Sequence, residues 1–134
     1  MIFVDSNIII DLVEPNGAWR EWSEEVLLSQ EAPLITSAVT LAEAARQFHS
    51  LKAELSFLAL MQIELLDMPP EAAFRAGKAH AAYRAAGGTR EAVLADFLIG
   101  GHATTLGATL LTRDRGRFAT YFPELQLITP ENQA

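Results

Sequence analysis

Short apolar runs closed by turn-forming residues recur along this chain, and longer stretches with helical spacing lie between them. Ile2–Val4 is an apolar run suited to a buried strand, and Asp5, Ser6 and Asn7 behind it favour turns and helix N-caps. A helix is expected to follow that strand directly. Trp19, Trp22, Val26 and Leu27 share one stripe of a helix over residues 19–31, with Arg20, Glu24 and Glu25 mostly on the other side. Pro33 stops it before Leu34, Ile35 and Thr36, a second strand candidate. Residues 40–48 and 51–62 are rich in good helix formers. IELLDMPP, residues 63–70, reads as a strand closed by Pro69 and Pro70, and the alanine-rich residues 71–86 as a helix ended by Gly87 and Gly88. A further helix is expected over residues 91–105 with Gly107 after it, then strands in ATLLT and LQLIT. Strands alternating with helices imply right-handed crossovers and a three-layer α/β domain, its mainly parallel sheet of four to five strands covered on both faces.

The 134 residues suit one domain, 1–134, and half of them are hydrophobic, without repeat, linker or low-complexity tract. The apolar N-terminus has no basic leader, and Asp5 and Asp11 interrupt it too soon for a signal peptide or a membrane span. A soluble, cytoplasmic protein is expected. The absence of cysteine excludes disulfides, thiolate metal sites and a Cys nucleophile. Ten Lys and Arg against seventeen Asp and Glu give a formal net charge of −7, so the global field repels nucleic acid. Any nucleic-acid site must be local, and one basic cluster stands out: Arg113, Arg115 and Arg117 around Asp114 in LLTRDRGRF.

Four carboxylates carry the candidate chemistry. Asp5 and Asp114 each follow a strand candidate, where sites of parallel sheets lie, although an Asx turn or N-cap explains either one alone. Asp96 sits on a small, apolar stripe of its helix, with Ala92, Val93, Ile99 and Gly100 three and four residues away. No cation of that helix can pair with it, so its partner is a metal ion or an arginine from another element, unless the stripe is partly solvated. Glu43 completes a Thr40-to-Glu43 capping box, or pairs with Arg46, or is functional. His49, His80 and His102 are scattered and read as packing or surface. No GxSxG, GxxxxGK[ST] or GxGxxG motif is present. An oxygen-rich acidic cluster suits the hard cations Mg²⁺ or Mn²⁺.

FVDSNIIIDL, TLAEAARQF, LADFLIGGHA and LLTRDRGRF, in that order, resemble PIN-domain ribonucleases, and within them VapC-type toxins of type II toxin–antitoxin modules. The resemblance covers nearly the whole chain and rests on the ordered set. It implies a PIN fold in which Asp5, Glu43, Asp96 and Asp114 bind Mg²⁺ or Mn²⁺, with the hydroxyls of Ser6 and Thr112 beside them. It further implies endonucleolytic hydrolysis of RNA to a 5′-phosphate and a 3′-hydroxyl, a homodimer, and an antitoxin partner. Gly100 and Gly101 replace the alanines usual after the third acid and would loosen that helix.

Under this reading the three arginines hold backbone phosphates beside the metal, while a solvated turn with Phe118 packed inward is the plainer account of them. LSFLALM, residues 55–61, is apolar around most of its circumference and is either core or interface. A non-catalytic PIN-like protein-binding module is the alternative. A haloacid-dehalogenase-type phosphatase is a lesser one, since it needs a second Asp where this chain has Asn7; a receiver domain lacks its paired acids and late Lys.

Overall fold

The computed structural model describes residues 1–88 and 94–131. Five parallel strands, β1 (Ile2–Val4), β2 (Leu34–Ser37), β3 (Ile63–Leu66), β4 (Thr109–Leu111) and β5 (Leu127–Ile128), lie in the order β3-β2-β1-β4-β5. The chain builds outward from β1 through β2 to β3, then returns to the other side of β1 for β4 and β5. Reversal of strand order between β1 and β4 opens a crevice at their carboxyl ends. All five strands match the apolar runs expected from the sequence.

Alternation along the strands sends neighbouring residues into two cores. Ile2 and Val4 point to one face with Leu111, against α1 (Ser6–Val13), α2 (Arg20–Leu28) and α4 (Leu51–Leu60), which contribute Ile8, Ile9, Leu12, Val26, Leu27 and Leu58. Phe3, Ile35 and Leu110 point the other way, against α5 (Pro70–Ala85), α6 (Leu94–Leu106) and α7 (Arg115–Ala119), where Phe97, Ile99, Ala103 and Phe118 are buried. Helices therefore cover both faces, as the three-layer reading requires.

Local chemistry sets the helix ends. The Asp5 side chain caps α1 by accepting from the Ser6 amide, Pro70 opens α5, and Gly87, at φ +98°, closes it in a conformation that disfavours a side chain. The start expected for the sixth helix, residues 91–93, lies outside the described residues. The helix expected over 40–48 begins earlier: α3 spans Ala38–Ala44, Ser37 is its N-cap, and one 3-10 turn (Ala45–Gln47) follows. Thr40 is thus inside the helix, and the capping-box account of Glu43 does not hold. LSFLALM divides between the two options left open, with Leu58 buried, Phe57 half-buried, and Leu55 and Leu60 exposed.

Gly100 and Gly101 do not loosen α6. A β-carbon on Gly101 would stand 2.8 Å from the Ala72 carbonyl oxygen and 3.0 Å from the Ala76 β-carbon, so its bareness lets α6 pack against the α5 backbone. At Gly100 the same atom would meet the Phe122 ring. His102 is fully buried edge-on to Phe3, His80 packs among Tyr83 and Phe97, and His49 is exposed. Among the described residues no helix is long and apolar enough to cross a membrane.

Candidate active site

The carboxyl ends of β1 and β4 present Asp5 and Thr112 side by side in the crevice. The Thr112 hydroxyl donates to one Asp5 carboxylate oxygen at 2.7 Å, and the Ser6 amide donates to the other at 2.7 Å. Ser6 Oγ reaches across to α3 and donates to Glu43 Oε1 at 2.9 Å. Both hydroxyls picked out in the sequence therefore lie between acids and orient them. Thr112 Oγ1 also accepts from the Asp114 amide at 3.1 Å, which ties the fourth acid to the first through one side chain.

Asp96 arrives from α6 and is 8% exposed. Its cation is an arginine from another element: Arg117 Nη1 lies 3.1 Å from Asp96 Oδ2, and Nε of the same side chain lies 2.6 Å from Asp114 Oδ2. One guanidinium thus serves two carboxylates.

Burial and neighbouring charge both bear on these carboxyls. Burial pushes Asp5 up from 3.8 to about 6, against the lowering effect of the Thr112 and Ser6 hydrogen bonds, while the negative charges of Asp96 and Glu43 add to the rise. Burial also raises Asp96, where the attraction of Arg117 is outweighed and the charges of Glu43 and Asp114 push the same way. Four carboxylates from four elements feel one another, and one arginine is too little positive charge for them. Among the described residues no three acidic or imidazole side chains are already gathered as a cage for a metal ion. The donor set is nonetheless all oxygen, anionic and under-neutralised, which fits a hard divalent cation.

The other two arginines have different surroundings. Arg113 grips Asp11 on α1 with two parallel hydrogen bonds, Nε to Oδ2 at 2.7 Å and Nη2 to Oδ1 at 3.0 Å. The Ser23 hydroxyl donates to the same Asp11 at 2.7 Å, and the guanidinium lies over the Trp19 ring at 5.4 Å. Arg115 is exposed, and its charge is felt by Glu131. Sequence reasoning missed Asp11 and Asn7. Asn7 donates to Thr112 Oγ1 and accepts from the Arg113 amide, both at 3.3 Å, so it joins α1 to the loop after β4. An asparagine just behind the first acid was the available signal, since its side chain can donate and accept at once.

The PIN domain family matches residues 2–121. Comparison with curated protein sequences finds no significant match. Among solved structures, a chain of VapBC-1 from nontypeable Haemophilus influenzae has 25% identity and a TM-score of 0.70, with 96% of this chain and 98% of that one covered. A chain of FitAcB from Neisseria gonorrhoeae has 23% identity and a TM-score of 0.70, over 98% and 99%. Mycobacterium tuberculosis VapC20, a sarcin-ricin loop cleaving toxin, has 18% identity and a TM-score of 0.67, over 94% and 99%. With the sequence match spanning most of the chain and the five-stranded parallel sheet carrying its acids at the β1/β4 crevice, this chain belongs to the PIN-domain family.

Proposed function

We propose that the protein is a metal-dependent endoribonuclease, the toxin of a toxin–antitoxin pair. The observation that carries the reading is that Asp5, Glu43, Asp96 and Asp114 lie within reach of one another's charge at the crevice, with the Arg117 guanidinium between Asp96 and Asp114. These four would hold Mg²⁺ or Mn²⁺. A divalent cation there supplies Lewis-acid activation of water and charge neutralisation at phosphorus. The chain's own part is orientation: Thr112 and Ser6 fix the Asp5 carboxylate and Ser6 also fixes Glu43. Arg117 keeps Asp96 and Asp114 facing one another. Arg115, exposed beside the fourth acid, and the half-exposed Arg117 are the arginines best suited to backbone phosphates, in a chain whose field otherwise repels RNA. Arg113 contributes through its grip on Asp11.

Support for a toxin comes from the VapBC and FitAcB chains with the same fold. An antitoxin partner and a homodimer belong to the same reading. Leu51, Leu55 and Leu60 on α4, with Leu65 on the edge strand β3, are exposed apolar side chains suited to such contacts.

The expected outcome with a mixed RNA pool is cleavage to 5′-phosphate ends in Mg²⁺ or Mn²⁺, none in excess EDTA, and none by Asp5→Asn in either metal. Undiminished cleavage in EDTA, or by the variant, would sink the proposal. A folded protein that binds a partner yet cuts no RNA would favour the protein-binding module.

A further inference from the structure

A cavity of about 440 Å³ adjoins the acids, lined by Asp96, Asp114 and Arg117 on one side and by Tyr83, Phe97 and Tyr121 on the other. The three rings form a triangle, with centroids 5.5 Å apart for Tyr83 and Phe97, 5.5 Å for Phe97 and Tyr121, and 5.9 Å for Tyr83 and Tyr121. Phe97 is buried, whereas Tyr83 and Tyr121 are only half-buried and keep ring surface open to a ligand. Aromatic walls do nothing for a hard cation and its waters. They are what a nucleobase stacks on.

We propose that this cleft is a nucleobase subsite, in which Tyr83 and Tyr121 take an unstacked base of the RNA strand next to the phosphate being cleaved. The proposal rests on the nuclease reading and adds to it the side chains that hold the base beside the cut. Because Asp96 and Asp114 line the same cavity, a base held by the tyrosines brings the strand's backbone to the acids. The volume lies in the range of small-ligand pockets. Bases in a duplex are stacked and paired, so the strand offered must be single-stranded or a loop. Stacking is tolerant of base identity, so the cleft supplies affinity and register first and sequence preference second.

The test begins with the parent protein and Mn²⁺ on a mixed RNA pool, from which the best-cut site is mapped and resynthesised as a short RNA. Four forms are compared: intact, with an abasic residue on the 5′ side of the cut, with one on the 3′ side, and annealed to its complement. The expected result is a KM raised about five- to a hundredfold by one of the two abasic residues, with little cleavage of the duplex. Tyr83→Ala and Tyr121→Ala should raise KM for intact RNA over the same range with a smaller change in kcat. Each should be insensitive to the abasic residue that harms the parent. Tyr83→Phe and Tyr121→Phe keep the ring and should regain the sensitivity to that abasic residue which the alanine variants lose. The abasic arm needs no protein variant, so it decides even where an alanine variant does not fold. Equal cleavage of all three single strands, or of the duplex, overturns the subsite while leaving the nuclease reading intact. Alanine variants that keep the parent's KM for intact RNA would refute it. A parent that cuts nothing in the pool removes the nuclease reading and the subsite together.

Discussion

At the scale of single residues, two neighbouring arginines that look alike in the sequence do opposite jobs. Arg113 is tied to Asp11, which is 4% exposed and also receives the Ser23 hydroxyl, so removing either ion leaves the other without its partner in a largely dry setting. Asp11→Ala and Arg113→Ala should each cost about 2–4 kcal/mol, and the double variant much less than their sum, as urea unfolding of all three would measure. Arg115 is exposed, and Arg115→Ala should change stability by less than about 0.5 kcal/mol while lowering the salt dependence of RNA binding by about one phosphate. Additive losses for the first pair would dissolve the brace. The sequence pointed to Asp5, Asp96 and Asp114 because strand ends and an apolar helix stripe are local signals, whereas Glu43 joined them through the family resemblance. Asp11 had no such signal: its partner is 102 residues away, and within the chain it only interrupts an apolar run. The arginine that Asp96 required was anticipated as a type, and the structure identifies it as Arg117.

Among the elements, strand positions were legible because apolar runs bounded by Pro, Asp and Gly carry the necessary information within five residues. The short helix α7 was not, since RGRFA has a glycine at its second position between two arginines, and its one large apolar side chain, Phe118, is buried in the second core. Trp19 is a similar case. It was assigned to an apolar stripe but lies at the N-terminus of α2, 40% exposed, with Arg113 over its ring. Tertiary partners decide such positions. The α5–α6 contact shows the same principle with a measurable consequence. Gly101→Ala would drive a methyl group to 2.8 Å from a backbone oxygen, where no side-chain rotation relieves it, so a loss of about 1–3 kcal/mol is expected. Gly77 lies in α5 with open space around it, and Gly77→Ala should instead gain up to about 1 kcal/mol of helix propensity. Thermal unfolding of the two variants checks both signs, and a Gly101→Ala protein as stable as the parent would show that the helices are not in that contact.

For the whole molecule, the acids concentrate like charge at the one place where the sheet opens, and folding without a cation must bear it. Asp5 is 3% exposed and its carboxyl is raised from 3.8 to about 6, so the folded protein holds a proton there more tightly than the unfolded chain does. That preference stabilises the fold fully below about pH 4 and is lost as pH rises through about 6, an effect of up to about 3 kcal/mol at 1.36 kcal/mol per unit. Asp96, raised in the same direction, adds to it, whereas His102, lowered by burial, works against it below pH 6.5. Comparison with Asp5→Asn isolates the first contribution. In EDTA, the stability of the parent relative to the variant should fall between pH 4.5 and pH 7.5, because only the parent acquires the buried charge. Added Mn²⁺ at pH 7.5 should restore much of the parent's loss and little in the variant, since a cation stabilises the fold only through affinity for the folded state. Unfolding followed at both pH values, with EDTA and with Mn²⁺, reads out both effects. A difference between the two proteins that stays constant with pH in EDTA would mean that Asp5 ionises as freely in the fold as in water, and that neither the burial of its carboxyl nor the like charges beside it oppose its ionisation.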